Sequence, residues 1–250
     1  MLRTLAKSLS LFILINSTVQ GGLLPSKTAS VTPSPSILQA FPNLTVVTHP
    51  LIQHKLTIMR DKATGTLLFG QLLREIALLL GYEVTRSLAV KEKIVETPVA
   101  TAKGFAIDEN EIVIVPIIRA GLGMADGLHT LIPTASQGHI GLYRDPVSKQ
   151  AIEYFFKIPT VNNQTFIIVD PMLATGNSLL AAIDGLVKRG VAPEKIIVMT
   201  LVSVIDGVRT VSAKYPKVRI FTAAVDEKLN DHAYIIPGLG DAGDRLFRTK

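Results

Sequence analysis

The stretch from Thr165 to Ser178, T-F-I-I-V-D-P-M-L-A-T-G-N-S, constrains the chain more than any other. Phe166, Ile167, Ile168 and Val169 form an unbroken apolar run, the pattern of a strand buried on both faces of a parallel sheet. The run stops at Asp170 and Pro171. Beyond Thr175, Gly176, Asn177 and Ser178, the apolar positions Leu179, Leu180, Ile183, Leu186 and Val187 fall at helical spacing. Strand, tight loop and helix together make an anion site. Gly176 lets the backbone approach a ligand closely, and the first N–H groups of the helix point into the loop with the helix dipole behind them. Thr175 and Ser178 add hydroxyls, which suits a phosphate monoester.

Asp170 would repel a phosphate lying directly against it, so its partner is expected to be a hydroxyl-bearing group such as a ribose diol. The chain has no G-x-x-x-x-G-K-[ST] and no G-x-G-x-x-G, so neither a P-loop nor a dinucleotide fold is supported. Taken alone, D-x-x-x-x-T-G-x-S also fits an ordinary strand-to-helix turn.

Elsewhere the pattern repeats in simpler form. Apolar strands are predicted at 111–118, 139–142, 195–202 and 218–223. Helices are predicted along the stripe from Leu67 to Leu80, ending at Gly81, and over 206–214. Alternating strands and helices make a doubly wound, mostly parallel α/β sheet flanked by helices the economical architecture. Arg119 follows one of these strands directly, at the rim where such sheets bind ligands, and guanidinium forks onto phosphate oxygens. From Tyr143 to Pro159 two extended pieces flank a polar Ser148-Lys149-Gln150 turn, which reads as a hairpin flap. His54, Lys55 and Arg60 are expected to be exposed structural residues. Three glycines and a proline between Pro237 and Gly243 shape a loop whose backbone can face a ligand.

Residues 1–42 are set apart by composition. Arg3, Lys7 and Lys27 have no acid to offset them, since none occurs before Asp61, and they supply half of the formal charge of +6. The apolar run from Leu9 to Ile15 is short of the ~20 residues that a bilayer span needs. A leader, either transit or signal segment, is expected there, followed by one domain over 43–250. The remaining charge suits a phosphate-rich small substrate, and no Lys/Arg run marks a nucleic-acid stripe. With no cysteine in the chain, thiolate chemistry is excluded and any metal must take oxygen ligands. An intracellular setting, cytoplasmic or organellar, is expected, with neither nucleic acid nor membrane as partner.

Three strings in order, P-I-I-R-A-G-L-G, V-D-P-M-L-A-T-G and P-G-L-G-D-A-G-D-R, resemble the uracil phosphoribosyltransferases, a branch of the type I phosphoribosyltransferases. The resemblance runs from about His49 to Lys250. It implies the type I phosphoribosyltransferase fold, with the flap a flexible loop, and transfer of the phosphoribosyl group of 5-phosphoribosyl 1-pyrophosphate to uracil. By the same resemblance Arg119 and Arg144 meet the diphosphate, Asp170 holds the ribose hydroxyls, and Pro171, Met172, Leu173, Ala174, Thr175, Gly176, Asn177 and Ser178 enclose the 5-phosphate. Ile235, Gly240 and Ala242 then hold uracil through their backbone, while Asp241 faces the donor and its Mg2+. A homodimer or homotetramer is implied, and GTP as an allosteric activator is left open. A catalytically inactive nucleotide sensor on the same fold is the alternative. Three positions depart from the family's pattern: Asn177 and Arg248 stand for glycines, and Ser203 to Gly207 replaces A-A-P-E-G.

Overall fold

The computed structural model describes residues 35–144 and 151–249; the leader through residue 34 and the turn of the flap at 145–150 lie outside the described residues. The side chains of Glu109, Arg144 and Ala151 are likewise outside the description. The chain begins with α1 (Pro35–Ala40), β1 (Leu44–Val46), α2 (Pro50–Arg60) and α3 (Thr66–Val84). Within the stretch read as leader, Ile37 and Phe41 pack against the core. Then come the hairpin β2 (Lys91–Glu96) and β3 (Thr101–Ala106), β4 (Ile112–Ile118), α4 (Leu122–Leu131), β5 (Ser136–Gln137), β6 (His139–Arg144) and β7 (Ala151–Lys157). The second half holds β8 (Thr165–Val169), β9 (Met172–Leu173), α5 (Asn177–Lys188), β10 (Ile196–Val204), α6 (Ile205–Lys214) and β11 (Arg219–Asp226). It closes with β12 (Lys228–Leu229), β13 (Ile235–Ile236) and α7 (Ala242–Phe247).

The main sheet runs β1-β11-β10-β8-β4-β6-β7 and is parallel throughout except for the last pair. Its register explains the unbroken apolar runs. In β8, Ile167 and Val169 join one hydrophobic cluster while Phe166 and Ile168 join the other. β4 divides the same way, Ile112 and Ile114 against Val113, Val115 and Ile117. Each strand therefore fills two cores, and burying one such side chain is worth roughly 1.5–3 kcal/mol. Helices α2, α3 and α4 cover the first face, and α5 and α6 the second.

The five strands predicted from sequence are all present, each within a few residues of its expected span. Gly81 is a correction. The helix does not end there but continues to Val84, with Gly81 buried inside it. A Cβ at Gly81 would lie 2.4 Å from Leu128 Cδ2, so the glycine serves close packing of α3 on α4 rather than a turn. The flap is a β6–β7 antiparallel hairpin on the sheet's edge, anchored at its base where Phe156 lies under the Arg189 guanidinium at 3.5 Å.

The β2–β3 hairpin has no counterpart among the predicted elements. It forms its own two-stranded sheet, all of β2 is exposed, and the Ile94, Val99 and Phe105 side chains face solvent. Neither face buries an apolar stripe within this chain, which is why periodicity carried no signal for it.

Candidate active site

Parallel strands bring their carboxyl ends to one edge, and the candidate residues gather there. Asp170 follows β8 directly, and its N–H donates to Met199 O in β10 at 3.2 Å. Its Oδ1 accepts the Met172 N–H at 3.3 Å. The next carbonyl, Pro171 O, accepts the N–H groups of both Leu201 and Val202, and β9 then pairs with Val202 and Ser203. These bonds stitch the start of the loop to β10. Gly176 takes φ +86°, a left-handed angle that glycine adopts without strain, and α5 starts at the next residue with no side-chain cap. A pocket of about 180 Å³ lies in the turn, lined by Asp170, residues 172–176, Ser178 and Leu179.

Of the predicted phosphate loop, Pro171 and Asn177 do not line that pocket. Pro171 is its anchor. Asn177 is the first residue of α5 and needs no positive φ, so a side chain there is harmless. The third departure is explained at its first residue. Ser203 is buried and joins a hydroxyl chain, 2.9 Å from Thr200 Oγ1 and 3.0 Å from Thr222 Oγ1. Gly207 keeps its place because a Cβ there would sit 2.3 Å from Ala174 O in the loop.

Arg119 follows β4 and is exposed at the same edge. Its guanidinium lies 3.5 Å from Thr249 Oγ1 and 5.5 Å from the centre of the Phe247 ring, so the C-terminal tail flanks it. Gly121 makes the turn possible: a Cβ there would meet Val169 O at 2.3 Å. Arg144 ends β6, the strand beside β4, and only its backbone falls within the described residues.

The C-terminal loop completes the edge. The Ile236–Pro237 peptide is cis, Gly238 and Gly240 have φ of +61° and +77°, and Asp241 caps α7 by accepting the Asp244 N–H at 2.9 Å. The side chains of Ile235 and Ala242 are buried, so these residues can meet a ligand only through backbone. Gly240 is exposed, and among the described residues its backbone makes no hydrogen bond. Asp241 lies close enough to Asp170 for their charges to interact. Burial pushes the Asp170 carboxyl up to about 7, against the lowering effect of the Met172 N–H, and the negative charge of Asp241 adds to the rise.

The model of the uracil phosphoribosyltransferase family matches residues 46–249. The chain belongs to that family. The uracil phosphoribosyltransferase of Rhodospirillum centenum is 54% identical over 210 residues, which covers 84% of this chain and 97% of the relative. That of Thermosipho africanus is 52% identical over 208 residues, covering 83% and 99%. Among solved structures, the AQ2163 protein from Aquifex aeolicus superposes with a TM-score of 0.79 at 34% identity, over 83% of this chain and 99% of that one.

Sequence reasoning undervalued one residue at this uracil phosphoribosyltransferase edge. Arg60 is half-buried, not exposed, and forks onto Asp226 at the end of β11 with both contacts at 2.7 Å. The only sequence signal was an Arg-Asp pair closing a helix. Arg248, the remaining departure, takes φ +53° and ψ +46° at the end of α7.

Two outcomes follow. A left-handed non-glycine residue costs about 1–2 kcal/mol, so Arg248→Gly should raise the urea midpoint; no change would mean that the 3.3 Å bond from Arg248 Nε to Thr66 Oγ1 repays the strain. Asp170 carries a raised folded pKa, so the native state holds a proton that the unfolded chain gives up above its ordinary value of 3.8. That contribution to stability is present at low pH and lost as pH rises from about 4 to about 7. The stability of Asp170→Asn relative to wild type should therefore grow over that window and level off above it, and a difference flat with pH would show an ordinary carboxylate.

Proposed function

We propose that the chain transfers the phosphoribosyl group of 5-phosphoribosyl 1-pyrophosphate to N1 of uracil, giving UMP and diphosphate. The observation that carries this reading is the meeting of an acid-headed phosphate loop and a glycine-framed C-terminal loop at one sheet edge. The 5-phosphate sits against the α5 N-terminus and the Thr175 and Ser178 hydroxyls, and Asp170 accepts hydrogen bonds from the ribose diol. With both ends of the ribose held, C1 is oriented for attack.

Arg119, joined by Arg144 from the neighbouring strand, stabilises the charge that builds on the diphosphate as its bond to C1 breaks and the electron pair leaves with it. Uracil N1 attacks C1 from the opposite face and gives up its proton to water. The backbone of Ile235, Gly240 and Ala242 reads the alternating carbonyls and N–H groups of the base. No covalent enzyme intermediate is required.

Asp170 and Asp241 suit a Mg2+ carried in on the donor, since this ion takes one or two carboxylates with substrate oxygens and waters. Among the described residues no group of three His, Cys, Asp or Glu side chains could hold a metal ion. When bound, the ion would neutralise diphosphate charge. GTP as an activator enters this reading by resemblance alone. The inactive-sensor alternative loses ground because Arg119, Asp170, Thr175 and Asp241 are all in place. Among the described residues no helix is long and apolar enough to cross a membrane.

The homo-oligomer rests on the β2–β3 hairpin. A two-stranded ribbon is marginal in water by itself, and Ile94, Val99 and Phe105 at 58%, 94% and 74% exposure call for a cover. A second copy of the chain supplies it in this reading. Sedimentation should find a dimer or tetramer, and Phe105→Glu should shift it toward monomer; a monomeric wild type at assay concentration would sink the oligomer.

With donor and Mg2+ present, uracil should yield UMP while cytosine and hypoxanthine yield no nucleotide. Arg119→Ala should lower kcat/KM about 100-fold or more. Donor and uracil binding without turnover would return the sensor reading.

A further inference from the structure

Two side-chain clusters hold the C-terminal loop in place. Asp226 is buried, and its Oδ1 and Oδ2 accept Arg60 Nη2 and Nη1 at 2.7 Å each. The same Oδ2 accepts the Gly238 N–H at 2.9 Å, and the same Nη1 donates to Gly238 O at 2.6 Å. Both backbone groups of a residue at φ +61° are thereby taken by one ion pair. One residue on, Leu239 O accepts Arg245 Nη1 at 2.9 Å, and Arg245 also donates to Met59 O and Asp61 O at the end of α2.

These bonds sort the loop's backbone. The groups of Gly238 and the carbonyl of Leu239 are consumed by protein, while Gly240 is exposed and among the described residues its backbone makes no hydrogen bond. A pyrimidine read by backbone donors and acceptors needs those groups fixed to a fraction of an ångström, and a loop with two left-handed glycines has no rigidity of its own. Something outside the loop must supply it.

We propose that Arg60 and Asp226 are positioning residues for the base site, setting the loop on which base recognition depends without touching the substrate. The proposal rests on the phosphoribosyl-transfer reading above. Its geometry is specific to guanidinium. Arg60 bridges two carboxylate oxygens and a carbonyl in one plane, and an ammonium at the same place keeps the charge but cannot span all three. The pair stands apart from the phosphate loop and Arg119, so its loss should be felt by the base and not by the donor.

The test uses the full chain and compares wild type with Arg60→Lys, Arg60→Met and Asp226→Asn, measuring KM for uracil and for the donor, kcat, and thermal melting. Arg60→Lys is the variant of record, because Arg60→Met leaves a buried carboxylate unpaired and can fail to fold. The expected result is a rise in uracil KM of about 10- to 100-fold, with donor KM within about twofold, and a larger effect in Asp226→Asn than in Arg60→Lys. A melting temperature lowered in Arg60→Lys with both KM values unchanged, or both raised alike, would overturn the positioning role and leave a purely structural pair. Wild type separates the two levels. No UMP from wild type removes the functional reading and this assignment with it, whereas UMP from wild type and an unchanged uracil KM in Arg60→Lys removes this assignment alone.

Discussion

A parallel sheet with both faces buried has no surface on which to place polar chemistry except its ends. β4, β8 and β10 are filled with isoleucine and valine on either side, so the first residues free to be charged are those just beyond the last apolar one. Arg119 and Asp170 stand just beyond β4 and β8, and Asp226 is the last residue of β11. Their common location follows from strand direction and register, and the loops that leave them need only close glycines to turn back onto the helices. Gly121 against Val169 O and Gly207 against Ala174 O are two such close approaches, and Gly238 against Ile235 O is closer still.

The charge that this edge can hold is limited by the same burial. Desolvation raises the Asp170 carboxyl, and the negative charge of Asp241 adds to the rise. A cationic or hydroxyl-rich guest beside Asp170 would offset that cost. The loop before α5 has the opposite character, a helix N-terminus, and in the proposed reading it takes the phosphate. Opposite demands side by side describe a ligand that carries phosphate at one end and a diol in the middle.

Much of this was legible in the sequence because buried strands write themselves as apolar runs. The run before Asp170 gave the strand, and Thr175 to Ser178 gave the loop; the family's strings then supplied roles for Asp241 and Arg144. The rest was hidden for physical reasons. The β2–β3 hairpin buries neither face within the chain, so no periodicity marked it. Gly81 looked like a helix end because a glycine at close packing and a glycine at a turn are the same letter. Arg60 and Asp226 lie 166 residues apart and meet only through the fold.

The tie between α2 and the C-terminal loop also orders events in time. Gly238 is 178 residues beyond the arginine that grips it. A ribosome therefore finishes the sheet, Asp226 included, while the glycine that this ion pair grips is still unmade. In the proposed reading, a chain interrupted after β11 holds the loop assigned to the 5-phosphate and none of the groups assigned to the base. Selectivity is the last thing this polypeptide acquires.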